Sequence, residues 1–167
     1  MDTENILKGK IAEILVWELL QKCKNKVYRF GNGELLYTLI QFEKRFDRES
    51  KIGRKVSSVP DFLVLTKNQK FFFLEVKFRS DPEALEEELL LGKEFLEKFW
   101  KAKIVLVTSK GEPYFRILTP PYFSKEKRQG WPIPVLNWLP LEDDPDLRIT
   151  SKTLKIFEKL VEQYYES

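Results

Sequence analysis

An α/β fold, with a central mixed β-sheet flanked by helices, is the architecture this sequence predicts. Three observations predict it. Residues 59–66 (VPDFLVLT) and 71–78 (FFFLEVKF) are two apolar runs joined by a short polar loop, the pattern of a β-hairpin. Residues 103–109 (KIVLVTS) are almost continuously apolar, like strands that lie parallel in a sheet covered on both faces. Helical patterns precede and separate these strands, so the order is helix, three strands, helix, strand (αβββαβ) over about residues 4–119.

Each element has its own signal. Residues 4–24 read as a helix with Ile6, Leu7, Ile11, Ile14, Leu15, Val16 and Leu20 nearly all round it, which predicts a mostly buried helix. Glu13 falls between Val16, Trp17 and Leu20 on the helical wheel, where an acid needs a partner or a cation. After a turn at Gly31, Asn32 and Gly33, residues 34–46 (ELLYTLIQFEKRF) read as a long strand whose basic end projects beyond the sheet. The hairpin follows, and then a helix capped by Asp81 with Pro82 at its first position. That helix is expected to run to about Trp100, with Leu85, Leu89, Phe95, Leu96 and Phe99 turned inward.

Beyond Pro113 the character changes. Pro120, Pro121, Pro132, Pro134, Pro140 and Pro145 make the segment too proline-rich for regular central strands. Trp131 and Trp138 are expected to staple it over the core, and stacking on exposed bases beside the basic cluster Lys125, Lys127 and Arg128 is the second reading. From Thr150 or Ser151 a last amphipathic helix carries Leu154, Phe157, Leu160, Val161 and Tyr164 on one side. It is expected to dock on the domain, with a homodimer contact as the lesser alternative. The whole, residues 1–167, reads as one domain, a core of about 4–119 and a C-terminal extension of 120–167.

Composition narrows the chemistry. With 43% apolar residues, 13 Phe and 4 Trp in 167 residues, the chain can bury a core without staples. One cysteine, Cys23, rules out an internal disulfide and points to a reducing cytoplasm. Glu13 and Glu18 interrupt an apolar stretch, residues 11–20, too short to span a bilayer. Histidine is absent, which excludes Ser/His and Cys/His nucleophiles, His-ligated zinc and an imidazole base together. No phosphate-binding glycine motif occurs, so nucleoside-triphosphatase and dinucleotide chemistry are disfavoured. Any hydrolysis rests on carboxylates, lysine and metal.

The hairpin supplies them. Period-2 alternation puts Phe71, Phe73, Glu75 and Lys77 on one face of the second strand. With a three-residue loop at 67–69, Thr66 pairs with Lys70, and the same register sets Asp61 opposite Glu75. Directly opposed residues have Cβ atoms about 5 Å apart. Two carboxylates that close raise each other's pKa unless a cation neutralises them. All-oxygen ligation suits Mg²⁺ or Mn²⁺, which keeps several waters and takes phosphate oxygens as further ligands. Around the hairpin the net charge of +3 is segregated: Lys44, Arg45, Arg48, Lys51, Arg54 and Lys55 crowd the stretch before Asp61, and Arg79 lies just after Lys77. Such basic residues suit a phosphate backbone.

Pro60-Asp61 and Glu75-Val76-Lys77 together resemble the PD-(D/E)xK phosphodiesterases with the restriction-endonuclease-like fold. The resemblance implies Asp61 and Glu75 as metal ligands, Lys77 as the residue assisting the attacking water, Mg²⁺ or Mn²⁺ as cofactor, and DNA as the usual substrate. It also implies an endonuclease of repair, recombination or restriction, and two-strand cleavage would require a symmetric dimer. Lys8-Gly9 with Glu13, followed by Val27-Tyr28-Arg29, is similar to the opening of archaeal Holliday-junction resolvases, some of which place such a Glu at the metal. Those resolvases reach PD soon after the first strand, whereas here residues 34–58 intervene. The same strings occur at Glu49-Ser50-Lys51 and at Pro145-Asp146, but in polar loop rather than on paired apolar strands. The alternative to an enzyme is a catalytically silent nuclease fold that grips nucleic acid or another protein.

Overall fold

The computed structural model describes residues 3–31, 47, 49–92 and 94–165. In chain order these form α1 (Thr3–Lys22), β1 (Lys26–Arg29), α2 (Lys51–Ser57), β2 (Phe62–Leu65), β3 (Phe71–Phe78), α3 (Ala84–Gly92), a π-helical turn (Glu94–Phe99), β4 (Lys103–Val107), β5 (Phe115–Leu118), β6 (Phe123–Arg128), β7 (Trp131–Leu136), β8 (Leu139–Pro140), a 3₁₀ turn (Leu141–Asp143) and α4 (Ser151–Tyr165).

Residues 67–69 close the central hairpin. The Thr66 amide donates to the Lys70 carbonyl at 2.9 Å, and Gln69 takes the left-handed φ of 65° that a bulged three-residue loop needs. The register that follows pairs Phe62 with Leu74 and Leu65 with Phe71, as the sequence predicts. β1 adds antiparallel to β2, β4 runs parallel to β3, and β5 and β8 follow antiparallel, giving a mixed six-stranded sheet ordered β1-β2-β3-β4-β5-β8. All five residues of β4 are buried, as its apolar run requires.

Alternation sorts the strands onto two cores. Leu74, Val76, Val105 and Val107 join Phe62 and Val64 against α1 and α4 (Leu15, Leu19, Leu154, Phe157). Ile104 and Leu106 face the other way, against Leu85, Leu89, Leu96 and Tyr122, with Phe73 beside them. Glu75 and Lys77 are register partners of Ile104 and Leu106, so they belong to this second face, the side on which α3 packs.

Several expectations need correction. α1 is not buried all round: Ala12, Leu15, Val16, Leu19 and Leu20 are buried, while Ile6, Leu7 and Ile14 are 48%, 59% and 49% exposed. One stripe of α1 meets the sheet and α4, with Ile11 and Trp17 partly buried beside it, and Ile6, Leu7 and Ile14 fall at or beyond its edge. The helix after Asp81 does not run as one α-helix to Trp100, because the turn widens at Glu94–Phe99 and the Trp100 amide donates to the Phe95 carbonyl, five residues back. The extra residue per turn rotates later side chains, leaving Phe99 51% exposed rather than inward. Beyond Pro113 there are regular strands after all. β5 lies between β4 and β8 in a proline-free stretch, and β6 and β7 form a separate hairpin that holds Pro132 and Pro134. A two-stranded ribbon tolerates prolines spaced by two, since alternate residues of each strand point their N–H away from the partner. The expected strand of residues 34–46, with Asn32 and Gly33 of its turn, lies outside the described residues. α4 matches expectation, starting one residue after Thr150, and among the described residues no helix is long and apolar enough to cross a membrane.

Candidate functional site

The β2–β3 register continues one position past Phe62 and Leu74, which sets Asp61 across from Glu75. The chain beyond β1 holds Asp61 there. The Asp61 carbonyl accepts from the amides of Phe30 (2.9 Å) and Gly31 (3.1 Å), and a Cβ at Gly31 would lie 2.7 Å from the Pro60 carbonyl oxygen. Only glycine allows that approach. On the side chain, Oδ2 of Asp61 accepts the Val76 amide at 2.8 Å, which ties the carboxylate to the strand bearing Glu75.

The electrostatics of the pair are unequal. Glu75, its side chain 13% exposed, is ion-paired to Lys77 Nζ at 2.8 Å. Asp61 has no ion-pair partner among the described residues. Burial first, then the Glu75 charge, and then Glu13 push its carboxyl up to about 8, against the pull of the Val76 amide and Lys77. Burial works against the Lys77 ammonium, but Glu75 outweighs it, with Glu88 and Asp61 adding, so Lys77 holds its proton more tightly than a free lysine.

Around this centre the other predicted residues fall in distinct places. Glu13, on α1 and 13% exposed at its side chain, receives Lys10 Nζ on both oxygens at 2.9 Å and Arg29 at 3.5 Å. The partner that its position on the wheel demanded is supplied by these cations, and its charge still reaches Asp61. Arg79 donates to its neighbour's carbonyl, Phe78 O, at 2.6 Å and is paired with Glu88 of α3, which also lies 3.7 Å from Lys77. Lys51, Arg54 and Lys55 are exposed on α2, with Lys55 Nζ 4.0 Å above the ring of Phe99. Lys44, Arg45 and Arg48 lie outside the described residues.

The two lookalike strings have structural explanations. Ser50 of Glu49-Ser50-Lys51 caps α2, its hydroxyl accepting the Gly53 amide at 3.0 Å. Asp146 of the second PD binds Lys70 at 2.7 Å and Lys103 at 3.1 Å, beside the buried Lys103–Asp144 pair at 2.6 Å. Sequence reasoning missed Arg29, Gly31 and Glu88 as neighbours of the site. Gly31 lies in the predicted turn and Glu88 on the helix after Asp81, but only the folded chain brings them to Asp61 and Lys77.

Could this donor set hold a metal? Among the described residues no three His, Cys, Asp or Glu side chains gather closely enough to do so, and the structure brings together two carboxylates, Asp61 and Glu75. One or two carboxylates with waters and substrate phosphate are what Mg²⁺ takes, and Asp61 is a buried carboxylate that no side-chain cation pairs among the described residues. The residues present therefore fit a hard divalent ion bound through two protein ligands. Fold and site together define an α/β protein with a strand-borne Asp, Glu and Lys constellation. Compared with protein-family models, curated proteins and solved structures, the chain matches none.

Proposed function

We propose that the chain is a Mg²⁺- or Mn²⁺-dependent phosphodiesterase of the PD-(D/E)xK type, on a restriction-endonuclease-like core, that cuts DNA as an endonuclease. One observation carries the reading. Asp61 and Glu75 face each other on central strands, Lys77 neutralises Glu75, and Asp61 is left without a countercharge among the described residues.

Asp61 and Glu75 would hold the ion, which when bound polarises the phosphoryl oxygen and acidifies the attacking water. Glu75 makes the Lys77 ammonium hold its proton more tightly than a free lysine, so Lys77 would serve as a fixed charge and hydrogen-bond donor. It orients the water and offsets charge gathering on the phosphorus. Glu13 becomes a ligand only by exchanging Lys10 and Arg29 for the metal; where it stands, it acts on Asp61 through its charge. The exposed cations of α2, Lys51, Arg54 and Lys55, immediately precede the Asp61 strand and would receive the phosphate backbone, with Lys44, Arg45 and Arg48 before them in sequence.

The test is cleavage of supercoiled plasmid, linear duplex, single-stranded and four-way-junction DNA with Mg²⁺, Mn²⁺ or EDTA. Lys77→Ala should lower the rate at least ~100-fold, the scale of losing one charge-stabilising donor, with DNA binding retained. Cleavage that persists in Asp61→Ala refutes the assignment. The second reading, a silent nucleic-acid-binding module, draws on Glu88, which engages both Lys77 and Arg79 on the cationic side of the site. It predicts binding without cleavage in every metal.

A further inference from the structure

The basic cluster at Lys125, Lys127 and Arg128 and the exposed Trp131 are not used by the site above, yet they occupy one small structure. β6 and β7 pair only with each other, in register from Phe123↔Leu136 to Arg128↔Trp131. The turn between them is made by Gln129 and Gly130, both at positive φ (51° and 83°), the two-residue geometry that suits a tight hairpin. Closing that turn requires no tryptophan. Trp131 nevertheless stands directly after it, 75% exposed, across from Arg128, with Ile133 next on the same face and 39% exposed. Trp131 and Ile133 together form an uncovered apolar strip beside the basic residues of the hairpin.

The hairpin is rooted on the site's side of the sheet. Phe123 and Leu136, at its open end, pack on the core formed by Leu85, Leu106 and Tyr122, the face to which Glu75 and Lys77 belong. Tyr122, immediately before β6, donates its hydroxyl to the Ala102 carbonyl at 2.5 Å; burial first, then the charges of Glu97 and Glu75, push that hydroxyl's pKa up, so Glu75's field reaches the root. Six residues of strand carry the tip roughly 20 Å from that root. Pro132 and Pro134 stiffen β7 opposite Lys127 and Lys125, so both lysines project together on the face of the ribbon opposite to Trp131 and Ile133. The only acid of β6 and β7, Glu126, lies 3.7 Å from Arg128 and leaves both lysines uncompensated by the hairpin itself.

We infer that the β6–β7 hairpin is a second nucleic-acid contact, in which Trp131 stacks on an unpaired base on one face of the ribbon while Lys125 and Lys127, on the other face, draw the backbone around its edge. The inference rests on the nucleic-acid reading of the site and adds a preference for substrates with exposed bases. A tryptophan face accepts any base and gains nothing from a closed duplex stack, whereas lysines serve both.

Binding of a labelled 20-nucleotide DNA single strand and its duplex is measured by fluorescence anisotropy, with the full chain in EDTA so that cleavage plays no part. Trp131→Ala should weaken single-strand binding about tenfold and duplex binding less than about twofold, and Trp131→Phe should restore most of the loss. Lys125→Ala/Lys127→Ala should weaken both and flatten the slope of log affinity against log salt by about 1.5. If Trp131→Ala binds single strands as the parent does, or loses duplex affinity equally, the inference is overturned. If the parent binds neither DNA, the nucleic-acid reading itself fails. If it binds and cuts while the hairpin variants match it, only the hairpin assignment fails.

Discussion

Replacing Asp61 by asparagine should make the metal-free protein more stable above neutral pH, although it removes a residue central to the site. In the unfolded chain this carboxyl loses its proton near pH 4. In the folded chain it does so near 8, through burial and the charge of Glu75. Between those values the folded state holds a proton that unfolding releases, so stability is full below about pH 4 and is lost as pH rises through 8. From pH 5 to pH 8.5 the ceiling on that loss is about 4 kcal/mol, three units at 1.36 kcal/mol each. Half of it, about 2 kcal/mol, corresponds to about 4–8 °C in Tm for a chain of this size. The asparagine side chain keeps an acceptor for the Val76 amide and cannot titrate, so the variant should lack this component. The assay is thermal unfolding of parent and Asp61→Asn at pH 5 and 8.5, in EDTA and in excess Mn²⁺. In EDTA the Tm difference should move in the variant's favour on going to pH 8.5; Mn²⁺ should stabilise the parent and leave the variant unmoved. A parent no less stable than the variant at pH 8.5 in EDTA, or a variant that Mn²⁺ stabilises equally, would refute the account of Asp61 as a buried carboxylate awaiting a cation.

Three further outcomes follow from neighbouring contacts. Gly31→Ala places a methyl 2.7 Å from the Pro60 carbonyl oxygen and should cost about 1–3 kcal/mol in urea unfolding, with loss of cleavage as Asp61 shifts; a fully stable, active variant removes the clamp from the argument. Lys103→Ala strands the buried Asp144 charge and should lower stability by about 3–5 kcal/mol while the cleavage rate of the remaining folded protein, assayed at low temperature, stays unchanged. Glu88→Gln releases Arg79 from its partner and should tighten DNA binding roughly two- to fivefold at low salt, an effect that fades as salt screens it; unchanged affinity would mean that Arg79 does not reach nucleic acid.

Legibility from sequence followed the range of the forces involved. The hairpin was readable because period-2 alternation and a three-residue loop leave one register that buries Leu74 and Val76, and that register alone puts Asp61 opposite Glu75. β4 was readable from its unbroken apolar run. The exposure of Ile6, Leu7 and Ile14 was not, since apolarity says that a face can be buried and not whether another layer arrives to bury it. Nor was the widened turn at Glu94–Phe99, where α and π patterns differ by one residue per turn. Prolines misled for a related reason: proline excludes a strand from the middle of a sheet but not from a two-stranded ribbon, and composition does not distinguish the two. At the site, residue types and register could be read locally, whereas Arg29, Gly31 and Glu88 arrive from β1, the loop beyond it and α3.

The distribution of cations explains why the unmet charge falls on Asp61 rather than on Glu75. Each neighbouring acid has a specific donor: Glu13 takes Lys10 and Arg29, Glu88 takes Arg79, and Glu75 takes Lys77, two residues along its own strand. That last pairing is fixed by the strand itself, because i and i+2 share a face. Asp61 has no such option, for it stands at the start of β2 with its carbonyl bound to the loop after β1 and its carboxylate turned to a backbone amide. An amide partly offsets the charge and does not remove it. The fold therefore concentrates its demand for positive charge, among the described residues, at one rigidly held oxygen pair beside a lysine that remains protonated. In the metal-free protein a proton meets that demand below about pH 8, and a divalent ion that displaced it would lie beside Glu75 and Lys77.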